Sequence, residues 1–112
     1  MKVRNPQKRE LESEIDLLPD AGAIYSIIPS KVLESLRIER RGKRRMKVAD
    51  GRAIERHLGI AEVEVKGEVA HGTVIFGEDQ DASVLGLTAL EETGLQVDPT
   101  TGELKPMELL LL

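Results

Sequence analysis

The sequence has no cysteine and no tryptophan, a single phenylalanine, a single tyrosine and only two histidines. Without cysteine there is no disulfide, no thiolate metal ligand and no thiol nucleophile. Two histidines are too few to suggest a zinc centre, so neither a metal nor a cofactor is expected. With so few aromatic residues, Leu, Val, Ile and Ala must fill the interior. No apolar run approaches the roughly 20 residues of a membrane-spanning helix. The opening MKVRNPQKRE is basic and lacks the apolar segment of a signal peptide. A cytoplasmic protein without membrane association is therefore expected. Acidic residues number 20 against 16 basic ones, and the formal charge of −4 speaks against general nucleic-acid binding. At 112 residues the chain is expected to form one domain, 1–112, with a modest core.

What hydrophobicity there is follows a period of two. Between Glu10 and Leu17, the residues Leu11, Ser13, Ile15 and Leu17 alternate with Glu10, Glu12, Glu14 and Asp16, which predicts a half-buried strand with an acidic outer face. Tyr25 to Ile28 predicts a second strand ended by Pro29, after which Ser30 is expected to cap a short helix carrying Val32, Leu33 and Leu36 on one face. Met46 to Ile54 reads as strand, turn and strand around Asp50-Gly51. Ala61, Val63 and Val65 alternate with Glu62, Glu64 and Lys66, and Gly67 turns the chain into a strand from Val69 to Phe76. Glu78 to Asp81 is expected to be a solvated turn, since it lacks the ligand spacing of a calcium loop. Thr88 and Glu91 match a capping box for a late helix that Gly94 stops. Asp98 to Gly102 supplies turn chemistry for a final hairpin.

Two charged or apolar runs stand outside this pattern. Arg40 to Lys47 holds six basic residues in eight. No aromatic residues are interleaved for base stacking, so the run reads as a solvated connection, with a preference for acidic peptides as a lesser alternative and a nucleic-acid accessory role behind it. His57 and His71 are assigned no role. The closing leucines, Leu109 to Leu112, are too few to cross a bilayer and ask for burial against a partner surface.

The stretch from Leu17 to Ser30, LLPDAGAIYSIIPS, places one acid in apolar surroundings. Such a carboxylate is expected to lie close to backbone and away from bulk water, which is costly for a group without a task. The triplet Asp20-Ala21-Gly22 followed by Ala23 resembles the D-[TS]-G-A loop of the retroviral-type (retropepsin-like) aspartic proteases. Val84-Leu85-Gly86 running into Leu87 to Leu90 is similar to that family's apolar-apolar-glycine strand and late helix, and Gly72 to Gly77 resembles the strand leading there. Val48 to Ile54 sits where the family carries its flap. The resemblance spans about Val3 to Leu104.

The resemblance implies an all-β fold with one or two short helices, in a closed acid-protease-like barrel with one lobe per chain and a two-fold dimer. It implies an aspartic endopeptidase acting on a peptide or protein substrate, with Asp20 as the catalytic carboxylate and Gly22 admitting backbone close to it. Ala23 would lie on the cleft floor. Ala49, Asp50, Gly51 and Arg52 would form the flap tip, and Val84, Leu85 and Gly86 would pack beneath the Asp20 loop. Only one such triplet is present, so the second carboxylate would come from a second copy of the chain. Ala21 stands where the family has Thr or Ser, and Pro19 replaces the usual apolar residue before the acid. The alternative reading is a dimeric peptide-binding or assembly module of the same fold without catalysis.

Overall fold

The computed structural model describes residues 1–108 and Leu111. Strand β1 (Lys2–Asn5) and strand β2 (Lys8–Glu14) form an antiparallel hairpin, in which the Asn5 Oδ1 accepts the N–H groups of Gln7 and Lys8. The predicted alternation holds: Leu11, Ser13 and Ile15 are half-buried and Leu17 is buried, whereas the four acids between and before them are exposed. The Ile15 N–H carries the pairing one residue past Glu14, donating to the Met1 carbonyl at 2.9 Å.

Beyond this hairpin come β3 (Leu18–Pro19), β4 (Ser26–Pro29), helix α1 (Ser30–Ser35), β5 (Lys43–Lys47), β6 (Ala53–Val65), β7 (Glu68–Gly77), β8 (Val84–Leu85), helix α2 (Leu87–Thr93), β9 (Leu95–Val97) and β10 (Leu104–Pro106). The main sheet runs β2-β1-β6-β7-β4-β8-β3, and β9 pairs with β10 in a separate antiparallel ribbon. Strand β6 changes partner along its length. Its first part, Ala53 to His57, pairs with β5, and from Leu58 onward it pairs with β7. The β5–β6 arm therefore extends away from the rest of the sheet.

The chain is mainly β with two short helices, as expected, but among the described residues the strands do not close into a barrel. Their path ends at β2 on one side and β3 on the other. Strand β3 has only two residues, one of them a proline, and so offers too few hydrogen-bonding groups to seal the ring. Lys43 to Lys47 of the basic run is a paired strand and not a connection.

Val3, Ile28, Leu33, Phe76, Leu85 and Leu90 form the centre of the core and are almost wholly inaccessible. Arg40 covers that core from outside, with its guanidinium 4.5 Å from the Phe76 ring centroid and 2.7 Å from Glu34. On the outer face, Arg4 lies opposite both Glu12 and Glu62 in register and reaches their carboxylates at 2.8 and 3.2 Å. Such cross-strand ion pairs help fix which residues of β2, β1 and β6 meet.

Both expected helix caps are replaced by tertiary contacts. Pro29 takes the cap position of α1, and the Ser30 hydroxyl instead donates to the Gly77 carbonyl at 2.8 Å. Helix α2 starts from Gly86, and Thr88 makes no side-chain cap. The N–H groups of Leu87 and Thr88, which a helix leaves without internal partners, donate to the carbonyls of Ala23 and Ile24 at 2.7 and 3.0 Å. The helix therefore begins ahead of Thr88, and the Leu90 N–H that a Thr88 cap would bind goes to the Gly86 carbonyl at 3.0 Å. Gly94 ends α2 as expected, in the left-handed conformation with φ 70°. The expected burial of the C-terminal leucines falls outside the described residues except for Leu111, which is exposed.

Candidate active site

Strands β3 and β4 flank the loop that carries Asp20, and β8 lies between them. It runs parallel to β3, with Leu18 opposite Val84 and Pro19 opposite Leu85, and antiparallel to β4. The Leu18 N–H donates to Ser83 at 3.0 Å and the Asp20 N–H to Leu85 at 2.9 Å. Alternate residues of a strand address the same neighbour, so Pro19 occupies the one place between them where no donor is needed. On the far side of the loop, Ala23 and Ile24 hold the start of α2 through the bonds described above. The loop is thus clamped at both ends by the segment Ser83 to Thr88.

Gly86 is the tightest point of that clamp. A Cβ there would stand 2.4 Å from the Tyr25 carbonyl carbon and 2.7 Å from the Ser26 nitrogen. Its N–H donates at 2.9 Å to the hydroxyl of Ser26, which is buried at 1% exposure. Sequence reasoning passed over Ser26; the signal available was a lone serine within the otherwise large and mostly apolar stretch Ile24 to Ile28.

Asp20 itself is exposed, contrary to the expectation that it would be withdrawn from water within the chain. Its Oδ1 accepts the Gly22 N–H at 2.8 Å, and its main-chain carbonyl accepts the Ala23 N–H at 3.2 Å. A Cβ on Gly22 would come within 3.0 Å of Oδ1, so residue 22 has little room beside the carboxylate. Among the described residues, Oδ2 has no hydrogen-bond partner. Ala21 is exposed, and so are Leu18 and Ile24 on either side of the loop, at 66% and 63%.

From Gly22 a cleft of about 480 Å³ extends between the loop and β5. Ala23, Ile27 and Ile75 contribute to one side, and Arg44 to Lys47 to the other. Arg44 spans it, donating to the Tyr25 hydroxyl at 3.0 Å with its guanidinium 5.6 Å from the ring centroid. The turn Ala49 to Arg52 forms the exposed end of the β5–β6 arm and does not line the cleft. Within it, the Val48 N–H reaches the Arg52 carbonyl at 3.0 Å, and Gly51 adopts φ 88°. The Arg52 N–H and guanidinium both bind Asp50 and hold its carboxyl below the usual range.

A second carboxylate has a structural task that the sequence did not suggest. Asp81 forms a bidentate pair with Arg56 of β6, at 2.6 and 2.9 Å, and also accepts the Glu78 N–H at 2.8 Å. The Arg56 guanidinium pulls the Asp81 carboxyl below its ordinary value, with the Glu78 N–H adding to the effect. This pair ties the base of the β5–β6 arm to the turn that feeds β8. Among the described residues no three His, Cys, Asp or Glu side chains are grouped for a metal ion.

A β-rich chain whose single Asp-Ala-Gly loop is gripped by an inserted apolar-apolar-glycine strand has the build of a retropepsin-type aspartic protease chain. The family model described as "gag-polyprotein putative aspartyl protease" matches residues 12–92, and the chain belongs to that family. That match contains the Asp20 loop, the β5–β6 arm, β8 and nearly all of α2. No curated protein matches the chain.

Proposed function

We propose that this chain is an aspartic endopeptidase that acts as a symmetric homodimer, each copy contributing Asp20 to a shared pair of carboxylates. The observation that carries the proposal is the setting of Asp20: an exposed carboxylate on a rigidly clamped loop, rimmed by the exposed apolar side chains Leu18 and Ile24. Peptide hydrolysis without a metal or covalent intermediate needs one group to take a proton from water and another to protonate the leaving amide. One carboxylate cannot do both at once. Two carboxylates about 3 Å apart share a single proton, because like charges so close do not both ionise. A two-fold axis beside Asp20 would bring such a pair together and bury Leu18 and Ile24 against their copies.

In this reading the Gly22 N–H orients one oxygen of each carboxylate and leaves the other for water. The cleft beside Gly22 and Ala23 receives an extended peptide, and the β5–β6 arm folds over it with Ala49 to Arg52 leading, which excludes water. The Val84 to Gly86 segment keeps the loop from yielding as the arm closes.

One observation favours a second reading, a dimeric peptide-binding or assembly module without turnover. Ala21 offers no hydroxyl to bond across the axis, where the family has Thr or Ser. The deciding experiment is digestion of an apolar peptide library by wild type and Asp20→Asn, with folding checked by circular dichroism. Cleavage in the acidic to mildly acidic range, insensitive to chelator and lost in Asp20→Asn, is the expected result. Equal cleavage by a folded Asp20→Asn protein would remove Asp20 from the chemistry. Peptide binding without cleavage by wild type would select the second reading.

A further inference from the structure

The wall of the cleft that β5 provides is cationic, and its floor is apolar. Arg44, Arg45 and Lys47 line it, and among the described residues no carboxylate does. Among the described residues, none of these three lies within ion-pair distance of an acid, although most other arginines of the chain's paired strands do. Arg44 is the most constrained. Strand register places it directly opposite Arg56, whose charge is taken up by Asp81. Its own guanidinium is held across the cleft by a neutral partner, the Tyr25 hydroxyl. An exposed planar guanidinium at the edge of an apolar cleft, whose partner among the described residues is a phenol, suits a carboxylate, since a charged acceptor makes a shorter and stronger bond than a neutral one.

We propose that the cleft selects extended peptides that carry a glutamate or aspartate side chain beside an apolar residue, with Arg44 as the residue that reads the acid. The inference rests on the peptide-binding reading of this cleft and holds for either of its forms, catalytic or not. The apolar neighbour packs on Ile27 and Ile75, while the acid displaces the Tyr25 hydroxyl from Arg44. Arg45 and Lys47 add a field that favours approach of an acidic segment. A nucleic acid fits less well. Among the described residues one aromatic ring lines the cleft, that of Tyr25, and a single ring with the Arg44 cation 5.6 Å from its centroid is no platform for stacking successive bases.

The test uses the Asp20→Asn protein, so that binding is read without cleavage. Fluorescence anisotropy would follow extended apolar peptides in which one position at a time is Glu, Gln or Lys, at low and high salt, together with a single-stranded oligonucleotide of equal length. At one position the Glu peptide should bind about tenfold more tightly than its Gln counterpart, with the margin shrinking in salt. Adding Arg44→Glu should reverse the order in favour of Lys, and Arg44→Gln, a milder change, should level Glu and Gln. Equal binding of Glu and Gln peptides, a preference that survives both Arg44 variants, or an oligonucleotide that outcompetes every peptide would overturn the inference while leaving the endopeptidase proposal standing. Failure of every peptide to bind would overturn both.

Discussion

The main-chain N–H of Asp20 donates to the carbonyl of Leu85 at 2.9 Å, so the proposed catalytic residue is held in place by backbone from the far part of the chain. Backbone is a stiffer support than a side chain, because it brings no rotamers of its own. The carboxylate therefore inherits its position from the packing of β8 between β3 and β4.

That dependence makes Gly86 a sensitive point. Gly86→Ala puts a methyl group 2.4 Å from the Tyr25 carbonyl carbon, and backbone on both sides would have to move. A loss of about 3 kcal/mol is expected, at the upper end for overpacking. Ser26→Ala, which orphans the buried Gly86 N–H, should cost roughly 1–3 kcal/mol. Urea unfolding of both variants measures this, and a shift below about 1 kcal/mol for Gly86→Ala would contradict the tight contact.

The Arg56–Asp81 pair should give part of the stability a dependence on acid. Asp81 has its pKa lowered in the folded chain, so its contribution is complete above the unfolded carboxylate value and is lost as pH falls through the folded one. Asp81→Asn should therefore cost roughly 1–3 kcal/mol at neutral pH, with the gap to wild type closing progressively below about pH 4. Denaturation of both proteins at pH 7 and pH 3 would show it. An equal gap at the two pH values would mean that the charge of Asp81 contributes nothing.

The proposed dimer should depend on the apolar rim of the Asp20 loop. Leu18 and Ile24 are largely exposed in the single chain, so replacing both by aspartate should leave its fold intact. Burying one such side chain stabilises by roughly 1.5–3 kcal/mol, so the double variant should weaken self-association at least about a hundredfold. Sedimentation equilibrium provides the readout. An unchanged dissociation constant would place the dimer face elsewhere.

Ala21→Thr tests the missing hydroxyl. If residue 21 faces its copy across the axis, each new hydrogen bond should contribute about 1 kcal/mol, and the two together should tighten the dimer by roughly ten- to thirtyfold. Turnover per dimer should rise as well if wild type is a weak enzyme, whereas a pure assembly module would gain affinity alone. Unchanged affinity in a folded variant would mean that residue 21 does not bridge the two loops.

Much of this architecture was legible in the order of residues. The alternation through Leu11 to Leu17, the Asp50-Gly51 turn and the Gly94 stop each depend on a few consecutive residues. Their signals survive without knowledge of the partner. Family membership was legible for a related reason, since the Asp20 triplet and the Val84 to Gly86 segment are each short and continuous. The two helix starts were misread where local chemistry met a distant competitor. Ser30 has the hydroxyl of a cap, but the Gly77 carbonyl takes it, and α2 begins ahead of Thr88, its first two N–H groups held by the carbonyls of Ala23 and Ile24 beside the Asp20 loop.

By itself, then, the sequence determined the mostly β character, the acidic outer face of β2, the positions of the turns and the one carboxylate with a family motif around it. Tertiary structure alone decided that β8 runs between β3 and β4, that the strands stop short of a closed barrel, that Arg56 meets Asp81 and that Arg44 spans the cleft to Tyr25. It also decided that Asp20 stands exposed. The division follows from distance along the chain: period and turn chemistry act among neighbours, whereas pairing partners and solvent access depend on which remote segments win the competition to pack together.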